Sequence, residues 1–423
     1  MDTIKLNTKY QTGGGLGAIG DIAIWQIFGV GVLFLVAFWN LVSLDSEKDE
    51  IALDAQVYLK LFSIACAGLY GMIGFLTDYR IRKTALSFPL AWIFVIFVLY
   101  VSASLISVSP TTAMASSISI LCVYLMTITA MFELGKPLVV KILFYATGLF
   151  VIGSWLAYFF APGIGVMEEP LMDGNFAVRM SGLAHPNTLG QHSALCIVLG
   201  IGLWQSFQQK SFLAIIVIGL ATGALLFCLS RASMLAVIVA LSVGFRPFLL
   251  GENYKLRLVI IVSLAVGALL IASMQTDLGS AIEKQLGAVS KSGDSDEITT
   301  ATGRAEIWGK SIQLIKERPM LGYGPTTSKF LLEEYSLYTH NLWLNIGLSC
   351  GIAGLLIGLL MCLARIRMMF SSHCFVADGI VTFILINGLF ENVIFSNLCG
   401  VPTICWIVGL GWFQFDNNEF GDL

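Results

Sequence analysis

Three arginines and two histidines stand out in an otherwise apolar chain. Arg179 precedes Ser181-Gly182-Leu183-Ala184-His185-Pro186-Asn187. Arg231 follows Ser230 between two apolar runs, and Arg304 opens an amphipathic stretch. His340 follows Thr339 at the start of a further apolar run. A guanidinium is a rigid fork of donors matched to phosphate oxygens. An imidazole at a helix start could take a proton from a hydroxyl, and Thr339 is placed to cap that helix. Each residue also has an ordinary reading as a solvated charge, a salt-bridge member or a structural histidine. His192 and His373 are read as structural.

The surrounding chain cannot be soluble. Hydrophobic residues make up 57% of it and charged residues 12%, against about 45–50% and 25% in soluble domains. The mean hydropathy is +0.83. Lipid must be the solvent for much of this surface, and the 42 glycines fit membrane helices. A net charge of −3 argues against a nucleic-acid partner. The nine cysteines fall within or beside apolar runs without a C-x-x-C pair. They read as small hydrophobes, with no disulfide and no zinc site expected.

Runs near the ~20 residues that cross a bilayer recur at 22–44, 57–76, 89–108, 113–133, 138–160, 188–207, 211–229, 232–250, 256–274, 341–364, 374–395 and 399–415. The chain therefore reads as one all-α polytopic domain over 1–423 with about twelve transmembrane helices. The first run lacks a cleavage site and is read as a retained span. Gly13–Gly20 before it is read as a flexible tail. Short-loop cations set the orientation. Arg80, Arg82, Lys83, Lys136, Lys141, Lys210, Arg246, Lys255, Arg257, Arg365 and Arg367 all fall on one side with Lys5 and Lys9. The opposite side begins with the mostly acidic Asp45–Glu50. Both termini are then cytoplasmic.

Residues 211–250 read as a tight hairpin with Arg231 at its outer apex, since a lipid-facing arginine at mid-membrane would cost several kcal/mol. Two outer segments are long: 161–187, and the large extracytoplasmic loop 275–339. Loops of such length are usually functional. In the second, Arg304–Glu317 reads as an amphipathic helix with Ile307, Trp308, Ile312 and Ile315 on one face. Pro319 ends it, and Gly322-Tyr323-Gly324-Pro325 reads as a turn. Asp294-Ser295-Asp296-Glu297 reads as a solvated acidic loop. No P-loop, Rossmann fingerprint or H-E-x-x-H is present.

Four stretches in order resemble the superfamily of O-antigen ligases and Wzy-type O-antigen and exopolysaccharide polymerases. They are Arg179–Asn187 (RMSGLAHPN), Ser230–Leu235 (SRASML), Gly303–Trp308 with Pro319–Gly324 (GRAEIW, PMLGYG), and Thr339–Gly347 (THNLWLNIG), covering about residues 175–365. The resemblance implies a GT-C-like glycosyltransferase of the bacterial inner membrane, with its active site facing the periplasm. It needs no metal and no cofactor. The donor is an undecaprenyl-pyrophosphate-linked glycan, and the acceptor is a hydroxyl on a second glycan. Arg231 and Arg304 match the family's pyrophosphate-binding arginines, and His340 matches its base. Arg179 would add to the pyrophosphate site, with His185 and Asn187 supporting. A flippase and a chain-length regulator would be partners. Polymerase is favoured over ligase, because a second carrier calls for extra cations and GRAEIW to PMLGYG looks more like exopolysaccharide polymerases. A secondary transporter would also have twelve spans, but no repeat of two halves is found here.

Overall fold

A membrane span must satisfy all its backbone polar groups within the protein, which leaves helices as the building element here. The computed structural model describes residues 16–39, 55–170, 176–251, 304–395 and 398–415. Its main helices are α1 (Leu16–Trp39), α2 (Ala55–Thr77), α3 (Ala91–Ser104), α4 (Pro110–Glu133), α5 (Lys136–Phe160), α6 (Pro186–Phe207), α7 (Phe212–Phe227), α8 (Arg231–Gly244), α9 (Arg304–Glu317), α10 (Leu342–Ser371), α11 (Phe375–Asn387) and α12 (Val401–Gly411). Of these, α2, α4, α5 and α10 are long and apolar enough to cross a membrane, and shorter apolar helices stand at 24–39, 91–104, 212–227, 231–244, 375–387 and 401–411. Ile27, Phe62, Phe159, Leu213, Ile238 and Leu363 are more than half exposed, a pattern that suits lipid and not water. The expected span 256–274, residues 275–303 of the large loop with its Asp294–Glu297 run, and the Asp45–Glu50 loop lie outside the described residues.

Several boundaries differ from the sequence reading. The Gly-rich segment is helical from Leu16 onward, because a helix in lipid gains by taking its neighbours into its ladder. The run 374–395 is helical only to Asn387, so residues 388–395 form an irregular segment. Helix α10 continues to Ser371, so Arg365 and Arg367 lie within a helix, not in a loop. The 161–187 segment contains an antiparallel hairpin, β1 (Val166–Pro170) with β2 (Phe176–Met180), in register Met167 with Arg179. This two-stranded hairpin is the one sheet among the described residues, and the otherwise helical structure is consistent with the all-α reading.

The 211–250 hairpin is present. Gly200 of α6 abuts Ile218 of α7, while Gly190 near the other end of α6 abuts Ser230. Helices α7 and α8 thus run antiparallel along α6 and turn at Cys228–Ser230. The opposite end of the bundle is locked by charge. Buried Asp378 pairs with Arg246 and Arg365 and accepts from His373 Nδ1 and the Cys374 amide. Losing one partner of such a buried set costs about 3–5 kcal/mol. Lys136, Phe207, Phe245, His373 and Trp412 line one cavity at this end, so these sequence-distant chain reversals share an end.

Helix α10 is broken at Cys350 and Gly351, where the backbone leaves helical geometry. The break frees polar groups that residues 319–324 take up. Tyr323 N donates to Leu348 O (2.7 Å), Gly324 N to Ser349 O (3.0 Å), and Ile352 N to Pro319 O (2.7 Å). Gly322 and Gly351 have φ of +63° and +69°, and a Cβ on either would lie 2.3–2.4 Å from a backbone oxygen. Only glycine permits that conformation and that approach. The PMLGYG stretch is therefore sewn into the break, and it ties α9 to the half-helix that begins at Leu342.

Candidate functional site

The candidate residues come from four separate pieces of chain, each held by local chemistry. His185 caps α6, its Nδ1 accepting from Asn187 N. Ser230 precedes α8, after Leu229 at φ +51°, so Arg231 is the first residue of that helix. Arg304 lies in the first described turn of α9, whose Ile307, Ser311, Leu314 and Ile315 are buried. That stripe follows the i, i+4, i+7, i+8 spacing of one helix face. Ile312, expected on it, lies off the stripe and is 44% exposed.

The start of α10 is capped by Asn341, whose side chain accepts from Trp343 N and Leu344 N. Thr339 does not cap it as expected. Its hydroxyl donates to Asn392 Oδ1 at 2.7 Å instead, because Asn341 stands one residue before the first helical amide and reaches N2 and N3. Trp308 Nε1 donates to Thr339 O at 3.1 Å, which fixes α9 beside this turn. The segment after α11 is laced to the same place. Asn341 Nδ2 donates to Leu389 O, Asn341 N to Asn392 Oδ1, and Leu342 N to Gly388 O. His340 between these anchors has φ +47°, a left-handed conformation that costs a non-glycine residue about 1–2 kcal/mol. Strain of this kind gathers at functional sites.

One carboxylate joins these pieces. Glu391 Oε1 accepts from Arg304 Nη2 and from Asn187 Nδ2, each at 2.9 Å, and Oε2 lies 3.1 Å from His340 Nδ1. The Asn187 amide is oriented by Arg179, whose Nη2 donates to Asn187 Oδ1 at 2.7 Å. Arg179 also donates from Nη1 to Glu169 and from Nε to Cys228 O. It is 2% exposed, so its fork is turned into protein and acts on Asn187 and on the Arg231 turn. His340 Nε2 lies 3.2 Å from Ser336 Oγ.

The structure thus brings Arg304, His340, Asn187 and, through Asn187, Arg179 into one network, with His185 at its edge. Arg231 is placed at the same end of the bundle, in the turn that Arg179 holds through Cys228. Burial acts to raise the Glu391 carboxyl, but the hydrogen bond from His340 and the charges of His340, Arg304 and His185 hold it below the usual carboxylate range. His185 is held below the usual imidazole range by burial and by the Arg179 charge. Both shifts follow from these neighbouring groups. Glu391 and Asn392 were not read from the sequence, since they fall inside an apolar run. A carboxylate within such a run is the signal that marks it, by the same argument that singled out Arg231.

The arrangement offers an imidazole nitrogen turned away from its carboxylate partner, with a guanidinium on the other oxygen of the same carboxylate. A comparison with curated proteins finds no match. Residues 214–359, which contain Arg231, Arg304 and His340, match the family model Wzy_C, O-antigen ligase. Over this segment the chain is similar to the O-antigen ligase family, and that match together with the apolar helices indicates an integral membrane protein.

Proposed function

We propose that this protein is a GT-C-like, extracytoplasmic glycosyltransferase that polymerises undecaprenyl-pyrophosphate-linked repeat units of an O-antigen or exopolysaccharide. Twelve spans in the bacterial inner membrane, with both termini cytoplasmic, would put Arg231, Arg304 and His340 on the periplasmic face. The observation that carries the reading is the pairing of His340 and Arg304 on Glu391, at the same end of the bundle as the Arg231 turn.

Pyrophosphate is already a good leaving group and needs charge stabilisation more than an acid. Arg231 and Arg304 supply that charge, so no divalent ion is called for. His340 takes the proton of the acceptor hydroxyl as its oxygen bonds to the anomeric carbon. The carbon–oxygen bond to pyrophosphate breaks, and its electron pair leaves with the phosphate. Attack from the far face inverts the anomeric carbon. Arg179, expected to touch pyrophosphate, is better suited to positioning Asn187 because its guanidinium is enclosed. The preference for polymerase therefore rests on the GRAEIW and PMLGYG stretches alone.

The matched family description favours the second reading, a ligase that passes the glycan to lipid A–core. Deleting the gene tests the choice. Loss of a polymerase leaves single repeat units on carrier or core. Long polymer stranded on the carrier would overturn the polymerase reading and leave the ligase.

A further inference from the structure

Glu391 lies 51 residues beyond His340 in the chain, yet three donors from three different segments meet on it. The His–Glu contact fixes more than proximity. An ionised carboxylate can only accept, so His340 Nδ1 must carry the proton that faces Glu391. A neutral ring then bears its lone pair on Nε2, the nitrogen that looks away toward Ser336 Oγ at 3.2 Å. The Ser336 hydroxyl already accepts from Tyr338 N, which leaves its own proton to point at Nε2. A sugar hydroxyl offered to the same nitrogen would take the place of that serine hydroxyl. Glu391 Oε1 meanwhile sets Arg304, so the proton acceptor and the phosphate-facing fork share one rigid reference. The carboxylate itself is held by Asn187, which is in turn held by buried Arg179.

We propose that Glu391 is a positioning residue for glycosyl transfer: it sets the His340 tautomer with Nε2 as the proton acceptor, and holds Arg304 in register with it. The proposal rests on the reading of His340 as the base. During transfer the proton moves from the acceptor hydroxyl to Nε2, and the imidazolium that results stands against the Glu391 carboxylate. Glu391 takes up no proton itself.

The test is Glu391→Gln in purified, reconstituted protein, with the lipid-linked repeat unit extracted from the deletion strain as substrate. The amide keeps the size of the side chain and an oxygen for Arg304, and removes the demand for a proton on Nδ1. We expect kcat to fall by about 100-fold or more, as when a base loses the partner that sets its tautomer. KM for the donor should move by less than about threefold, because an acceptor for Arg304 remains. Nitrogen-15 spectra of the histidine-labelled protein give a readout that a merely structural role would not move. The chain has four histidines, and only the His340 ring should change its Nδ1–H to Nε2–H ratio. Glu391→Asp keeps the charge, and should keep the tautomer and more activity than the amide. If either variant folds poorly, the other together with the spectra decides.

A folded Glu391→Gln protein with kcat within twofold of wild type would overturn the proposal, as would a loss of kcat with an unchanged His340 tautomer. His340→Ala separates the two levels. Full activity there would defeat the base assignment, whereas an inactive His340→Ala beside a fully active Glu391→Gln would defeat only the positioning role.

Discussion

Replacing Gly322 with alanine would place a methyl group 2.3 Å from the Leu348 carbonyl oxygen, on a backbone with φ of +63°. The left-handed conformation alone costs alanine about 1–2 kcal/mol. To relieve the clash, residues 319–324 must draw back from the break in α10. That withdrawal loosens the bonds of Tyr323, Gly324 and Ile352 to the opposing backbone, and each buried group left unmet costs about 1–3 kcal/mol. With one such group left unmet, the total is about 2–5 kcal/mol. It falls on the docking of α9 and not on the bundle, because Ile307, Leu314, Ile315, Tyr323, Leu332 and Leu348 form a small core of their own.

The expected result is local opening with the bundle intact. Hydrogen exchange at the Tyr323 and Gly324 amides should rise about 30-fold or more, the melting of the bundle should change little, and activity should fall as Arg304 and His340 lose register. Gly309→Ala in α9 is the control. A Cβ there meets open space, and alanine favours helix over glycine by about 1 kcal/mol, so activity and exchange should be kept. Unchanged exchange at Tyr323 and Gly324 with full activity in Gly322→Ala would refute the claim that this seam positions the site.

Arg231→Lys and Arg304→Lys should each lower activity by about 100-fold or more, because a point charge does not reproduce the fork; steady-state rates in proteoliposomes check this. Activity should survive EDTA, and loss in EDTA with recovery on adding magnesium or manganese would contradict the arginine-only account. The Glu391 carboxyl is held below its ordinary value by His340 and Arg304. It thus contributes stability that is present above about pH 4.3 and lost as the pH falls through its folded-state value. Thermal melts from pH 6 to 3 should show this acid limb in wild type and a flatter one in Glu391→Gln.

Much of this could be read from residue order. The helix described from Arg304 ends at Glu317 as read from the sequence, because an amphipathic stripe and a following proline are local signals. The turn at Ser230 follows from the cost of a lipid-facing arginine. What stayed hidden was non-local. The break at Cys350–Gly351 looks like any glycine in an apolar run until the partner backbone, some 30 residues earlier, is in place. Arg246 and Arg365 read as short-loop cations, and Asp378 is hidden in an apolar run, until three chain reversals meet. Glu391 and Asn392 were absorbed into a hydropathy window, and Arg179 looked like a free cation because its partners Glu169 and Cys228 O are set by a hairpin and a turn. Residues close in the chain announce local structure, while a site assembled from distant segments shows its members before it shows their roles.

The most direct test of the central claim compares wild type with His340→Ala in proteoliposomes supplied with the lipid-linked repeat unit from the deletion strain. Wild type should lengthen the glycan and release one polyprenyl pyrophosphate per bond formed. His340→Ala should bind the donor with near-normal affinity and form bonds about 100- to 10,000-fold more slowly, the share that general base catalysis supplies. Glycan lengthening at the wild-type rate in His340→Ala would contradict the account.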